Sequence, residues 1–165
     1  MKRLLILSDT HLGANADLPG AVTDLAKDCD GVIHAGDVTT PEALAKVRAL
    51  GPATVALGNM DHLALGGLLP EVAEVTVEGV KIGAIHGWGA PQGIVQRILP
   101  KVRERGFDVV VYGHSHQPDI SAAEGILFLN PGSPTERRGA PYFSVGILEV
   151  EDGEVADARI VEIGR

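Results

Sequence analysis

Short apolar runs that stop at glycine or at a polar side chain alternate with amphipathic segments along the first third of the chain. A strand that is buried on both faces carries a continuous apolar run of this kind, whereas an amphipathic helix has one apolar face. The first third therefore predicts, in chain order, strand, helix, strand, helix and strand at 2–7, 17–28, 31–35, 42–50 and 53–57. This alternation is typical of a parallel sheet with right-handed crossovers.

The rest of the chain has more strands and fewer helices. Turn residues at Glu78-Gly79 and at Asp152-Gly153 predict two β-hairpins. A helical pattern covers 92–105, where we expect Pro100 to break or kink the helix. Strands are predicted at 72–77, 80–85, 108–112, 120–123, 126–129, 143–151 and 155–163. An αβ half followed by a strand-rich half predicts two packed sheets that are covered by helices.

Polar side chains that can bind metals follow five of the predicted strands. These clusters are Asp9 with His11, Asp37, Asn59 with Asp61, His86, and His114 with His116. Taken alone, Asp37 is as readily a helix N-cap, Asp9 is more often a turn residue, and His86 is more often an ordinary loop histidine. Ligands bind at the carboxyl ends of strands in open α/β sheets, so five such clusters together favour a metal site. Carboxylate, amide oxygen and imidazole suit Mn²⁺, Fe, Zn²⁺ or Ni²⁺.

Composition and charge limit the classes of partner. The chain has 165 residues, a length typical of one domain, and we expect a single domain that spans residues 1–165. The net charge of −8 provides no basic field for nucleic acid or an anionic membrane, so an anionic substrate needs a local positive charge, which a metal can supply. Cys29 is the sole cysteine, which excludes an intrachain disulfide and a thiolate zinc site. No apolar run has the length of a signal sequence or a membrane span, and we expect a cytoplasmic protein without membrane contact.

The order of the five clusters resembles that of a known family. The motifs Asp-x-His, Gly-Asp, Gly-Asn-x-Asp, His-Gly and Gly-His-x-His are similar to those of the calcineurin-like metallophosphoesterases, and most of all to their small, single-domain phosphodiesterase branch. The resemblance extends from Asp9 to the loop at 130–133. It implies an α/β fold, a four-layer αββα sandwich of two mixed β-sheets flanked by helices.

The resemblance also implies two divalent metal ions per chain, with Mn, Ni, Fe and Zn left open as their identity. One ion would be bound by Asp9, His11, Asp37 and His116, and the other by Asp37, Asn59, His86 and His114. Asp37 would then bridge the ions, and the catalytic role is assigned to Asp37, Asn59, His86 and His114. Two ions about 3.5–4 Å apart clamp a phosphate and activate a bridging hydroxide that attacks phosphorus in line. The implied function is a metal-dependent phosphodiesterase.

Met60 departs from many members of the superfamily, in which a histidine follows the Gly-Asn pair and assists the leaving group. The group that protonates the leaving group is therefore left open. His62 is one alternative, although a solvent-exposed loop residue is the favoured interpretation. Asp61 is expected to orient a neighbouring loop or a ligand. His34, inside a strand, is expected to be structural or to support a ligand rather than to bind a metal itself. Trp88 either stacks on a base or aryl group of the substrate or packs against the protein.

Two other interpretations remain. Within enzymes, the alternative is a phosphomonoesterase or a small nuclease, and outside them it is a non-catalytic scaffold of the same fold, such as a retromer subunit. The presence of all seven ligand residues favours the enzyme. The acidic charge argues against a long nucleic-acid duplex as the substrate. Arg137 and Arg138 either reach a substrate phosphate or serve a surface role. The sequence leaves open the identity of the phosphate ester and a homo-oligomeric state.

Overall fold

The computed structural model describes residues 1–165, except for the side chain of His62. Its strands are β1 Lys2–Leu7, β2 Gly31–His34, β3 Ala53–Val55, β4 Val72–Val77, β5 Val80–Ile85, β6 Val109–Tyr112, β7 Asp119–Ala123, β8 Ile126–Asn130, β9 Phe143–Glu151 and β10 Glu154–Gly164. Its helices are α1 Gly20–Ala26, α2 Pro41–Arg48, α3 His62–Leu65 and α4 Ile94–Val102. Among the helices in the described part of the chain, none combines the length and apolar character that a bilayer crossing needs.

The strands form two mixed sheets of five strands each. One sheet has the order β10-β9-β1-β2-β3, and the other has the order β4-β5-β6-β8-β7. In the first sheet β1, β2 and β3 are parallel, whereas β9 and β10 are antiparallel to their neighbours. In the second sheet β5, β6 and β8 are parallel, and β4 and β7 form antiparallel edges. The parallel strands predicted from the αβ half are therefore confirmed.

Alternate side chains of the central strands pack into different layers of the core. In β1, Leu4 and Ile6 lie between the two sheets, whereas Leu5 and Leu7 pack with residues of α1 and α2. A third apolar cluster joins α4 to the outer face of the second sheet. The two-residue period of a strand places these side chains on opposite faces. The layers are thus helix, sheet, sheet and helix, which confirms the expected αββα sandwich.

The helices differ from the prediction in a few places. The four-residue helix α3, at His62–Leu65, lies where the sequence pattern predicted no helix. Pro100 does not end α4, which continues through it to Val102. Ile98 and Val102 are fully buried on the sheet, so packing holds the helix despite the hydrogen bond that Pro100 cannot donate. The helix α2 begins one residue before the predicted 42–50, with Pro41 at its first position and the Thr40 hydroxyl accepting from Ala43 N at 3.1 Å.

Candidate metal centre

The segments that follow the parallel strands lie side by side at one edge of the molecule. Backbone hydrogen bonds join Asp9 N to Gly36 O at 3.0 Å, His11 N to Asp37 O at 3.0 Å, and Gly113 N to His86 O at 3.1 Å. The first two join the chain after β1 to the chain after β2. The third joins the chain after β6 to the chain after β5. The carboxyl ends of strands from both sheets therefore meet at one place.

Several of the predicted ligands have a left-handed backbone. The φ angles are 54° at Asp9, 43° at His11, 60° at Asp37, 73° at His114 and 60° at His116. Non-glycine residues adopt this conformation uncommonly, and such strain is concentrated at functional sites. The sharp turns let the chain reverse immediately after each strand while its side chain remains in the cluster.

Two glycines allow the turns to approach one another. A Cβ atom at Gly58 would lie 2.2 Å from Asp37 Oδ1, and one at Gly113 would lie 1.9 Å from Ser8 Oγ. Both distances are far below van der Waals contact. A side chain at either position would therefore displace an aspartate or its hydrogen-bond partner.

Two aspartates and three histidines form the centre of the site. Asp9, His11 and His116 offer ligand atoms that all lie within 4.8 Å of one another, as do Asp9, Asp37 and His86. Asp9 Oδ1 is 3.4 Å from His116 Nε2. Asp37 Oδ2 is 3.4 Å from His11 Nε2 and 3.2 Å from His86 Nε2. The five side chains are thus close enough to share bound cations.

Four ligand atoms in this cluster are buried without a hydrogen-bond partner, namely Asp9 Oδ1, His11 Nε2, His86 Nε2 and His116 Nε2. An unpartnered buried polar atom normally destabilises a protein by about 1–3 kcal/mol. Such atoms rarely converge unless something satisfies them together. A divalent cation among them would do so, and the donor set therefore fits a metal.

Backbone carbonyls fix which nitrogen of three histidines carries the proton. His86 Nδ1 donates to Ala35 O at 2.8 Å, and His116 Nδ1 donates to Glu136 O at 2.6 Å. His114 Nε2 donates to Gly89 O at 3.0 Å. Because a carbonyl can only accept, the other ring nitrogen keeps its lone pair. This arrangement is typical of histidines that bind metals.

In each of the two aspartates, one carboxylate oxygen accepts hydrogen bonds and the other faces the histidines of the cluster. Asp9 Oδ2 accepts from Ser8 Oγ at 2.7 Å and from His114 N at 3.0 Å. Asp37 Oδ1 accepts from Met60 N at 2.9 Å. Asp9 Oδ1 and Asp37 Oδ2 face the histidines instead. Each carboxylate can thus bind a cation without giving up the hydrogen bonds that orient it.

The charges in the cluster favour ionised carboxylates. Burial acts to raise the pKa of Asp9, but the neighbouring imidazoles of His11, His86 and His116 outweigh it and lower the pKa to about 2. Burial also opposes ionisation of Asp37, yet its pKa is lowered, chiefly by His86. The pKa of His86 is raised, because Asp37 and Asp9 outweigh the effect of burial. The site thus attracts positive charge.

Asn59 and His114 lie at the margin of the cluster. Asn59 is exposed and lines a cavity together with His86 and Trp88. His114 is half-buried, and its ring packs edge-on against His86 with 5.3 Å between the ring centroids. The structure thus brings five of the seven predicted ligands into one cluster and leaves the other two beside His86.

Asp61 connects two of the turns, as the sequence predicted for a residue that orients a loop. Its buried carboxylate accepts from Asp37 N at 3.0 Å, Thr39 N at 2.7 Å and Gly58 N at 2.8 Å. Three backbone donors are thus satisfied by one side chain. Asp61 holds the Asp37 turn against the turn that carries Asn59.

The other sequence candidates are Met60, His62, Arg137 and Arg138. Met60 has an exposed side chain, and the role considered for the His62 side chain lies outside the described residues. Arg137 donates to Pro141 O at 3.2 Å, and Arg138 Nε is 3.5 Å from Glu136 Oε1. Both arginines are therefore engaged at the surface.

The groups that orient the histidines leave no signal in the sequence pattern. Ala35, Gly89 and Glu136 act through their carbonyl oxygens, and every residue has one, so residue type gives no signal. Arg97 was also missed. Its guanidinium donates to Trp88 O at 2.8 Å, to Gln92 O at 2.8 Å and to Ala90 O, and so ties down the loop that contains Gly89.

An αββα sandwich with aspartate and histidine side chains converging at its strand ends defines a class of metal-dependent hydrolases. The family model described as the calcineurin-like phosphoesterase superfamily domain matches residues 1–153. The chain therefore belongs to this family, whose members depend on divalent metals. A probable metallophosphoesterase of Methanothermobacter thermautotrophicus is 39% identical over 160 residues, which cover 96% of this chain and 91% of that protein.

Solved structures share the fold. Vps29 of Entamoeba histolytica, crystallised with Zn²⁺, is 23% identical with a TM-score of 0.74, over 98% of both chains. A structure of an archaeal phosphodiesterase is 22% identical with a TM-score of 0.71, over 98% of this chain and 99% of that one. At these identities the two structures support the fold and not a particular activity.

Proposed function

We propose that the protein is a phosphodiesterase that uses two divalent metal ions bound by the seven residues at the strand ends. The observation that carries this proposal is the convergence of four buried ligand atoms that have no other partner. Family membership supplies the reaction class, which is hydrolysis of phosphate esters. The orientation of the histidines supports a built site, because three of them are held by carbonyl oxygens.

The geometry suggests how the ligands divide between the ions. Asp9 Oδ1 with the Nε2 atoms of His11 and His116 would hold one ion. The other would be held by His86 Nε2, by the Asn59 side chain and by the ring nitrogen of His114 that does not bond Gly89. Asp37 Oδ2 and Asp9 Oδ1 each face both His11 and His86, and the resemblance of the motifs assigns to Asp37 the carboxylate that both ions would share.

The residues of the chain hold the metal ligands in position and form no covalent bond with the substrate. When bound, two divalent ions supply positive charge to a phosphate and lower the pKa of water for attack on phosphorus. Asp61 and the Met60 amide keep Asp37 in place, and Ser8 keeps Asp9 in place. A fixed arrangement of ligands fixes the substrate relative to the water, which is the main source of rate when no covalent intermediate is needed.

Charge favours a diester over a monoester. A phosphomonoester carries about −1.5 to −2 charge at neutral pH, whereas a diester carries a single charge. Among the described residues, no lysine or arginine pairs with Asp9 or Asp37, and Arg137 and Arg138 are engaged elsewhere. The site thus has little positive charge beyond the ions, and this suits the diester.

The test is hydrolysis of bis(4-nitrophenyl) phosphate and 4-nitrophenyl phosphate by chelated protein and by protein reloaded with Mn²⁺, Ni²⁺ or Mg²⁺. We expect activity only after reloading, faster on the diester, and better with Mn²⁺ or Ni²⁺ than with Mg²⁺, because imidazoles are poor Mg²⁺ ligands. Asp37→Ala should abolish it, whereas the exposed, helix-borne Asp24→Ala should leave it unchanged.

The same assay separates the alternatives. A faster monoester reaction would indicate a phosphomonoesterase. No hydrolysis after reloading, or hydrolysis that a chelator does not affect, would refute the proposal, and the former would favour a non-catalytic scaffold. The cytoplasmic location and a homo-oligomeric state stay predictions.

A further inference from the structure

We infer that the cavity beside Asn59 and His86 binds a planar aromatic substituent of the phosphate ester, with Trp88 as the surface on which it stacks. The inference rests on the proposed function, since it assigns a substrate group to that site. It concerns a cavity of about 350 Å³, called here the Trp88 cavity and lined chiefly by Leu57, Asn59, Glu71, Ile85, His86 and Trp88.

The Trp88 cavity directly adjoins the proposed metal centre. Asn59 and His86, which line it, are also proposed ligands of one ion. A phosphate bound to that ion would therefore place one of its ester groups at the cavity mouth. Ligand pockets span roughly 300–1,000 Å³, so this cavity has room for one ring system rather than for a second nucleotide or a peptide.

Trp88 is held in place but is not fully covered. Its backbone oxygen accepts from Arg97 Nε at 2.8 Å, and Lys101 Nζ lies 5.1 Å from the centroid of its ring. The side chain is nevertheless 39% exposed. The hydrogen bond fixes the Trp88 backbone, and the exposed indole presents aromatic surface to a ligand.

The walls of the cavity suit a neutral ring. Partly buried Leu57 contributes apolar surface, and the one acidic wall residue, Glu71, forms an ion pair with Lys101. The pair leaves no net charge to attract an ion. Aromatic rings stack on tryptophan through their faces, and a nucleobase and an aryl group share this chemistry.

Trp88 is the only tryptophan in the chain, so its fluorescence reports directly on the cavity. The probes are adenosine and benzyl alcohol, with ribose and cyclohexylmethanol as their non-aromatic counterparts, added to metal-free protein. These probes carry no charge and are not repelled by Asp9 and Asp37. We expect a saturable change in emission with adenosine, benzyl alcohol or both, and none with ribose or cyclohexylmethanol.

The response to the two aromatic probes identifies the source of the ring. A response to adenosine alone indicates a nucleobase, a response to benzyl alcohol alone indicates an aryl group, and a response to both indicates any planar ring. No saturable response to either would overturn the inference. This experiment involves no catalysis, so it stands even if the reloaded protein hydrolyses nothing.

A second measurement uses inhibition of diester hydrolysis by methyl phenylphosphonate and methyl cyclohexylphosphonate, which carry the same charge and differ in planarity. Base–aromatic stacking predicts that Trp88→Leu lowers the preference for the phenyl compound by roughly 5- to 100-fold. Trp88→Phe should keep most of the preference. The control is Ile120→Ala, a residue of equal exposure (38%) on β7, which should keep all of it. A loss of affinity shared equally by both phosphonates would contradict a stacking role.

Discussion

His34 is buried beside the metal centre and is held by hydrogen bonds at both ring nitrogens. Its Nδ1 accepts from Gly36 N at 3.1 Å, so its Nε2 carries the proton and donates to Thr10 Oγ1 at 3.1 Å. The bond from Gly36 N needs the neutral ring, because a protonated Nδ1 has no lone pair to accept it. Complete burial lowers the pKa of His34 from about 6.5 to about 4. His34 is therefore a structural residue, in agreement with the sequence prediction.

This low pKa makes the fold sensitive to acid. The unfolded chain binds a proton at His34 below about pH 6.5, but the folded chain does not until pH 4, so unfolding is favoured as the pH falls through that range. Between pH 6.5 and 4, the free energy of unfolding of the metal-free wild type should fall by about 3 kcal/mol more than that of metal-free His34→Gln. Denaturant titrations at several pH values measure the difference. Equal slopes in both proteins would show that His34 does not titrate as described.

Met60 occupies the position where many relatives are expected to have a leaving-group histidine. Its side chain is 58% exposed, and its backbone N–H bonds Asp37 Oδ1. A thioether cannot donate a proton, so aryl diesters, which leave as stable anions, should react well and alkyl diesters poorly. General acid catalysis contributes roughly 10²–10⁴-fold.

We expect Met60→His to raise kcat/KM for alkyl diesters by less than that range, since the new imidazole would lack a tuned pKa, and to leave aryl diesters nearly unchanged. Met60→Leu, which conserves volume, is the control. The measurement is kcat/KM against leaving-group pKa for a graded series of esters. A shallow dependence in the wild type would mean that another acid is already present.

The loop between β5 and α4 is organised by a residue of the helix. Arg97 of α4 donates to three carbonyl oxygens of the loop, at Trp88, Ala90 and Gln92. The carbonyl of Gly89, between them, accepts from His114 Nε2. The helix thus positions His114 through the loop, without contact with the proposed ions.

Loss of the Arg97 side chain should therefore weaken the binding of one metal ion more than the binding of the other. A group that orients a metal ligand typically contributes about 10- to 100-fold to the affinity of the site for its metal ion. In Arg97→Ala, we expect a loss of that size for the ion assigned to His114 and His86, and little change for the ion assigned to Asp9, His11 and His116. Stepwise titration with Mn²⁺, monitored by calorimetry, measures the binding of each ion separately.

Arg103→Ala is the control, because Arg103 follows the same helix but pairs with the exposed Glu124. An equal loss at both ions in Arg97→Ala, or no loss at either, would contradict the positioning role.

The regular elements were predictable where the sequence pattern is long. β1, β4, β5 and β9 have the predicted bounds, because each is an apolar or alternating run closed by turn residues. The helix α3 has four residues. It is therefore too short for apolar residues to recur on one face, which is the pattern that reveals a helix in a sequence. Pro100 does not break α4, because burial of one face of the helix outweighs local propensity.

The position of the site follows from the topology of the whole molecule. Two sheets pack face to face, and the parallel strands of both end at the same edge, so side chains far apart in sequence become neighbours. Sequence alone placed the ligands at strand ends, which was enough to predict the cluster of Asp9, His11, Asp37, His86 and His116. It could not predict the carbonyls that orient the histidines or the Trp88 cavity, because these depend on how loops pack.

Anomalous diffraction from Mn²⁺-soaked crystals, measured at the manganese absorption edge, tests the proposed centre most directly. We predict two peaks per chain, about 3.5–4 Å apart, with a carboxylate oxygen of Asp37 between them. Asp9, His11 and His116 should surround one peak, and Asn59, His86 and His114 the other. A single peak, or two peaks that do not share Asp37, would contradict the two-metal site.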